Sequence, residues 1–254
     1  MKIIAIIGLI VICVHVGSSL LIGAFNIKSF GNSKASNATL LDIITKVVHR
    51  YDILVIQEVR DTDLTATNKL MQSVNGGSSS YEYQYIVSEP LGRSTYKERY
   101  LFIYRVEAVS VANSFQYDDG CEPCGTDTFN REPFVVMFSS NTGGCQIMTN
   151  PLIFHTTSLS DISNNHWIAL LHKFDASKIR LRTEPIYNWL ISDSTDTTVT
   201  HTDCPYDRIV ATSDMMSAVS PGSAQVFDFM EAQGLSQSWA LAVSDHFPVE
   251  VELM

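Results

Sequence analysis

Eight short apolar runs constrain this chain more than any other feature: Leu20–Asn26, Ile53–Gln57, Tyr81–Ser88, Tyr100–Tyr104, Phe134–Ser139, Gln146–His155, Arg208–Ala211 and Phe247–Leu253. Each has strand length and is bounded by polar or turn-forming residues. One helix stands out against them. Between Thr39 and Arg50 apolar residues recur at 40, 41, 44, 47 and 48, which places them on one helical face. Thr183–Ile191 and Phe227–Gln233 are weaker helix candidates. With 254 residues, 45% of them hydrophobic, the chain can bury a large core. Many strands and few helices predict a single α/β (α+β) domain of packed sheets covered by helices. No linker, repeat or charge block divides it, and Asn75–Ser80 reads as a loop tip.

Residues 1–19 read as a signal peptide. Met1-Lys2 is a short basic start, Ile3 to Val16 is apolar apart from His15, and Gly17-Ser18-Ser19 supplies small residues for cleavage. The apolar stretch is too short to favour a membrane span. The expectation is a secreted, extracellular protein with its domain at 20–254 and no membrane contact after cleavage. Asn37-Ala38-Thr39 is an N-glycosylation sequon that secretion would make usable. Of five cysteines, Cys13 leaves with the signal peptide. Cys121 and Cys124 are expected to close a small disulfide loop, because no second pair of matching spacing suggests zinc. Spacing leaves open whether Cys145 pairs with Cys204. The formal net charge of −10 excludes gripping nucleic acid by bulk positive charge. A phosphate-handling protein of this charge needs divalent cations and a few local arginines.

The polar residues beside the apolar runs are more informative. Asn26 ends the first run, and Glu58 follows the second in "LVIQEVRD". Glu98 precedes a strand in "YKERYLF", and His155 ends "NPLIFH". Asp207 opens "DRIVA", and Asp245-His246 opens "DHFPVEVEL". Acids, an amide and imidazoles gathered at strand ends have the composition of a cleft.

The stretches "AFNIKSFG", "SNATL", "YDILVIQEVRD", "VSEPLGRSTYKERYLF", "QYDDGCEPCG", "REPFVVMF", "IRLRTEPIYNWLI", "DTTVT", "CPYDRIV" and "SDHFPVEVEL" resemble, in order, the secreted deoxyribonuclease I family. That family, with its gamma-type members, sits in the endonuclease/exonuclease/phosphatase superfamily. The resemblance implies a four-layer fold of two packed β-sheets flanked by helices, with the cleft along one sandwich edge. Glu58 and Asn26 would bind catalytic Mg²⁺ or Mn²⁺, with Asp245 supporting that shell or His246. His155 would pair with Glu98, and His246 with Asp207. Arg60 would enter the DNA minor groove, Tyr96 would lie on a sugar, and Arg131 would approach phosphates. Two structural Ca²⁺ sites also map over: Asp196, Thr198, Thr200 and Thr202, and Asp119, Asp127, the Phe129 carbonyl and Glu132.

One part of the family pattern is missing. Between His155 and Lys178 the family carries a long helix, a strand and the motif Gly-Asp-Phe-Asn-Ala, then a cysteine partner for Cys204. Here only "TTSLSDISNNHWIALLHKFDAS" remains. If Leu170–Ala176 is the remnant, Lys173 and Asp175 replace the motif's aspartate and asparagine. The segment then describes either an impaired relative or one in which Asp175 substitutes for the lost acid, and the first reading is preferred. The expected function is a metal-dependent endonuclease acting on double-stranded DNA with low sequence specificity and leaving 5′-phosphate ends. The alternatives are a DNA- or protein-binding relative without turnover and a lipid or inositol phosphodiesterase. A monomer is expected, and actin binding is left open.

Overall fold

The computed structural model describes residues 19–77, 80–118, 120–125, 129–141, 146–152, 167–172 and 180–254. The strands β1 (Leu20–Phe30), β2 (Ile53–Val59), β3 (Tyr83–Val87) and β4 (Arg99–Arg105) join β11 (Gln225–Val226) and β12 (Val249–Leu253) in one sheet, ordered β11-β12-β1-β2-β4-β3. The second sheet contains β5 (Val109–Gln116), β6 (Phe134–Ser140), β7 (Gln146–Leu152), β8 (Trp167–His172), β9 (Tyr187–Trp189) and β10 (Asp207–Thr212), ordered β5-β6-β7-β8-β10-β9.

The first sheet is covered on both faces, and this explains its unbroken apolar strands. Ile22, Ile53, Val55, Phe102 and Val251 pack toward Val136, Phe138 and Ile209 of the second sheet. Phe25, Leu54, Ile56 and Leu101 face the helices α2 (Ala38–Val48), α3 (Thr65–Val74) and α6 (Gln237–Val243). A strand covered on both sides has no reason to alternate polar and apolar residues. The short helices α1 (Asn32–Ala35), α4 (Arg180–Thr183) and α5 (Phe229–Ala232) fill connections. The packed sheets flanked by helices agree with the sequence expectation. Of the segment between His155 and Lys178, where the resemblance would place part of the fourth layer, only Trp167–His172 is among the described residues.

One local expectation needs correction, and the strands β5 and β8 have no counterpart among the eight apolar runs. Thr183–Ile191 is not a helix: Tyr187–Trp189 forms β9 against β10. Pro185 breaks a helical run, and Tyr and Trp favour the strand. Strand β5 escaped notice because it is an edge strand with mostly exposed side chains. Its sequence, "VSVANSFQ", lacks a continuous apolar run. Strand β8 also went uncounted. It lies between β7 and β10, so the shortened segment still contributes a central strand.

Asn37 caps α2, its side-chain oxygen accepting from the Thr39 and Leu40 amides at 3.1 and 3.2 Å. The side chain is exposed, which leaves its amide nitrogen available to solvent. Cys121 and Cys124 form the expected disulfide. Cys204 carries none among the described residues, and Cys145 lies outside them.

Candidate active site

The parallel pair β1–β2 builds one wall of the site. Its register runs regularly to Asn26 opposite Gln57, then resumes at Phe30 opposite Val59. Three residues of β1 therefore bulge against one of β2. On its other edge, β2 shifts register against β4 between Ile56 and Val59. Glu58 sits at this double irregularity with φ 58°, and Ser29 across from it has φ 50°. Both are left-handed conformations that cost a non-glycine residue about 1–3 kcal/mol. The bulge turns the Glu58 side chain out of the ladder. Its Oε1 accepts from Asn26 Nδ2 at 3.1 Å, and its Oε2 from the Ser29 amide at 3.2 Å.

Asn26 is fully buried, and its Oδ1 has no hydrogen-bond partner. A buried amide oxygen beside a carboxylate is a hard donor pair lacking its natural counterpart, and it fits a hard cation. No cluster of three or more acids, histidines or cysteines capable of holding a metal occurs among the described residues. One carboxylate and one amide oxygen would leave most of such a cation's shell to water.

The second wall comes from the start of β10 and the residues before β12. His246 Nδ1 is 2.6 Å from Asp207 Oδ2, and both side chains are buried. Burial pushes the imidazole's proton affinity down. The Asp207 hydrogen bond and charge, with Asp245 and Glu58 beyond, outweigh it and hold the pKa above the ordinary histidine value. Asp245 Oδ1 lies 3.8 Å from His246 Nε2. The other oxygen of Asp245 receives Lys28 Nζ at 2.8 Å. Burial raises the Asp245 pKa, but Lys28 and His246 hold it below the usual range. Lys34 donates to the Val243 carbonyl, and burial lowers its pKa to about 8.

Glu98 is buried and pairs with Arg131, Nε to Oε2 at 3.0 Å. Its expected partner His155 lies outside the described residues, as do Lys173 and Asp175. Arg131 therefore has a role the sequence did not suggest: it meets an acid as well as facing the surface. Arg60 stacks over Tyr96, guanidinium carbon to ring centroid 3.9 Å, and Arg131 lies 5.9 Å from the same ring. The three expected DNA-contacting residues thus lie together, Arg60 and Tyr96 exposed and Arg131 mostly buried behind them. A cavity of about 350 Å³ beside it includes Ser29, Asn32, Arg60, Thr62 and Lys97 in its lining.

In the loop following β9, Asp196 Oδ1 accepts from the Thr198 hydroxyl at 2.8 Å and from its amide at 2.9 Å. Thr198 also reaches the Thr202 carbonyl, and the hydroxyls of Thr200 and Thr202 meet. The four residues thus share one compact loop. Of the second calcium set, Asp119 and Asp127 lie outside the described residues. Phe129 is buried with its ring edge-on to Tyr117, and Glu132 adjoins a cavity of about 320 Å³. Sequence reading missed Lys28, Lys34, Thr197 and Ser244. Lys28 lies inside the quoted "AFNIKSFG", so its place beside Asn26 was the available signal.

Comparison with known proteins identifies the chain's relatives. The Endonuclease/Exonuclease/phosphatase family pattern matches residues 23–191. The chain is 48% identical to the Deoxyribonuclease-1 of Oryctolagus cuniculus over 268 aligned positions, covering 95% of each chain. It is 50% identical to that of Sus scrofa, covering 92% of each. The first alignment is longer than this 254-residue chain, so it opens gaps in it, as a missing segment requires. Among solved structures, an endonuclease/exonuclease/phosphatase from Bacteroides vulgatus superposes with a TM-score of 0.63 at 14% identity, covering 93% of this chain and 99% of that one. The human Nocturnin catalytic domain gives 0.61 at 12%, covering 93% of each.

Proposed function

Because the chain belongs to the deoxyribonuclease I family of the endonuclease/exonuclease/phosphatase superfamily and is a DNA-hydrolysing endonuclease, we propose that it cuts duplex DNA at the wall formed by Asn26, Glu58, Asp207 and His246. The family is in general divalent-metal-dependent. The observation that carries the proposal is the buried, orphaned Asn26 Oδ1 beside Glu58, on the same site as the Asp207–His246 pair.

Glu58 and Asn26 would hold Mg²⁺ or Mn²⁺, which when bound would offset negative charge as it builds on the phosphate. Asp207 fixes His246 through Nδ1 and leaves Nε2 to handle a proton. His155, oriented by Glu98, would serve the opposite side of the phosphorus. One imidazole activates water and the other protonates the departing 3′ oxygen, each worth about 10²–10⁴-fold. Cleavage of that bond leaves the phosphate on the 5′ end. Arg60 and Tyr96 would meet the minor groove, where base pairs are poorly distinguished, and low sequence specificity follows. Arg131 would neutralise a phosphate while steadying Glu98. The Asp196–Thr202 loop, and separately Phe129 and Glu132 with Asp119 and Asp127, offer oxygen ligands suited to structural Ca²⁺.

The apolar leader and the Asn37 sequon support secretion as a glycoprotein. Among the described residues no helix is long and apolar enough to cross a membrane.

The test is nicking of supercoiled plasmid with Mg²⁺ and Ca²⁺, followed by end analysis, with sphingomyelin hydrolysis measured in parallel. Nicking with 5′-phosphate ends supports the proposal. Folded protein that binds DNA without cutting it would favour the impaired reading, and preferential turnover of sphingomyelin would favour a lipid phosphodiesterase.

A further inference from the structure

Two buried hydroxyls brace the backbone that carries the Asp207–His246 pair, and both lie outside the set of groups that would touch substrate or metal. Thr197 is fully buried. Its Oγ1 donates to the Cys204 carbonyl at 3.2 Å and accepts from the amides of Tyr206 at 3.0 Å and Asp207 at 3.1 Å. Its own carbonyl accepts from the Phe247 amide at 2.8 Å. One residue thereby fixes the backbone of Asp207 and the backbone next to His246. An antiparallel bridge between Thr198 and His246, and a bond from the Val199 amide to the Asp245 carbonyl at 2.8 Å, extend the same splint.

Ser244 is its counterpart on the metal side. It too is fully buried. Its Oγ donates to the Asn26 carbonyl at 2.6 Å and accepts from the amides of His246 at 3.1 Å and Lys28 at 3.3 Å. A hydroxyl has one proton to give and two lone pairs to offer. Both hydroxyls use all three, and every partner is a backbone group of the site's own walls. Neither has spare capacity to rotate, so each defines a position rather than merely filling space.

We propose that Thr197 and Ser244 are positioning residues forming a two-point mount: Thr197 sets the Asp207 carboxylate against His246 Nδ1, and Ser244 sets His246 at a fixed distance from the Asn26–Glu58 oxygens. The proposal rests on the reading that His246 acts in DNA cleavage. A productive constellation is held to within about 0.5 Å by such supporting bonds. Losing one should affect turnover more than DNA binding, since neither hydroxyl faces the groove.

The test uses Thr197→Val, Thr197→Ser, Ser244→Ala and His246→Ala in the full mature chain, with circular dichroism to verify folding. In plasmid nicking, Thr197→Val and Ser244→Ala should lower kcat about 10–100-fold, as loss of an outer-shell partner typically does, with KM for DNA changed less than about 2-fold. Thr197→Ser, which keeps the oxygen, should recover most of the loss. The downfield ring-proton resonance of the His246–Asp207 bond, identified by its absence in His246→Ala, should shift in Thr197→Val. If Thr197→Val does not fold, the kcat-against-KM split in Ser244→Ala decides. Folded variants with wild-type kcat and an unshifted resonance would overturn the proposal, as would equal losses in Thr197→Ser and Thr197→Val. Retained nicking by His246→Ala would instead overturn the catalytic reading beneath it.

Discussion

The side-chain amide of Asn26 donates to Glu58 Oε1 at 3.1 Å across the parallel pair β1–β2 of the first sheet, at the point where both strands bulge. The contact answers why an otherwise apolar run stops at a carboxylate. The chain leaves the ladder there, and Glu58 takes a left-handed conformation, φ 58°, that glutamate rarely adopts. A strand with no bulge would send this side chain into a packed face.

That backbone conformation can be tested independently of chemistry. Glu58→Gly and Glu58→Ala both remove the carboxylate and its two hydrogen bonds, but only alanine keeps the steric conflict. The glycine variant should be the more stable by about 1 kcal/mol in urea unfolding. Equal stability would mean that Glu58 is not held at positive φ in solution.

Calcium binding by the Asp196–Thr202 loop should appear as thermal stabilisation. With Ca²⁺ at about 100 times its Kd, the native state gains about 2.7 kcal/mol by mass action. The rise in Tm should shrink in Asp196→Ala. An undiminished rise would assign the stabilisation to other ligands.

The Arg60–Tyr96 stack should contribute to DNA affinity. Arg60→Ala should weaken binding across unrelated duplexes, measured by fluorescence anisotropy in chelator, and lower the slope of log K against log salt by about 1. Tyr96→Ala should also weaken binding, through loss of the stacked ring. Unchanged affinity and salt slope in Arg60→Ala would remove this cluster from the interface.

A buried carboxylate paired with a surface arginine predicts acid sensitivity. Glu250 is fully buried and accepts from Arg50 at 2.6 and 2.7 Å, from Gln225 at 2.8 Å and from Tyr51 at 2.9 Å. Burial pushes its pKa up, but these partners more than compensate and hold it below the ordinary glutamate value. A depressed folded pKa stabilises above the unfolded value of about 4.3, and the contribution fades as pH falls through the folded one. The acid limb of a stability–pH curve should therefore flatten in Glu250→Gln. Arg50→Ala, which leaves Glu250 with only Gln225 and Tyr51, should cost about 1–2 kcal/mol at neutral pH, because the exposed guanidinium is already screened by water. Identical acid limbs in wild type and Glu250→Gln would refute this.

Much of the fold was legible because burial on both faces writes itself into β2 and β4 as continuous apolar runs. Edge strand β5 was not legible, since exposure on an edge leaves its composition mixed. Helix α3 was missed for a related reason: in "TATNKLMQSV" its buried face includes Ala66 and Thr67 alongside Leu70, Met71 and Val74. The acids and imidazole of the site were readable as strand-end residues. The residues that orient them were not. Ser244 meets Asn26 across a separation of 218 residues, and Lys28 meets Asp245 across 217. No local pattern encodes such a meeting; only the completed sandwich does.

The most direct test of the central claim is plasmid nicking by wild type and Glu58→Gln across a Mg²⁺ titration, with chelator as control. The account predicts that chelation stops the wild type. It also predicts that folded Glu58→Gln cuts at least about 100-fold more slowly and requires more Mg²⁺ for half-maximal activity. A Glu58→Gln protein that nicks at the wild-type rate with the same Mg²⁺ requirement would contradict it.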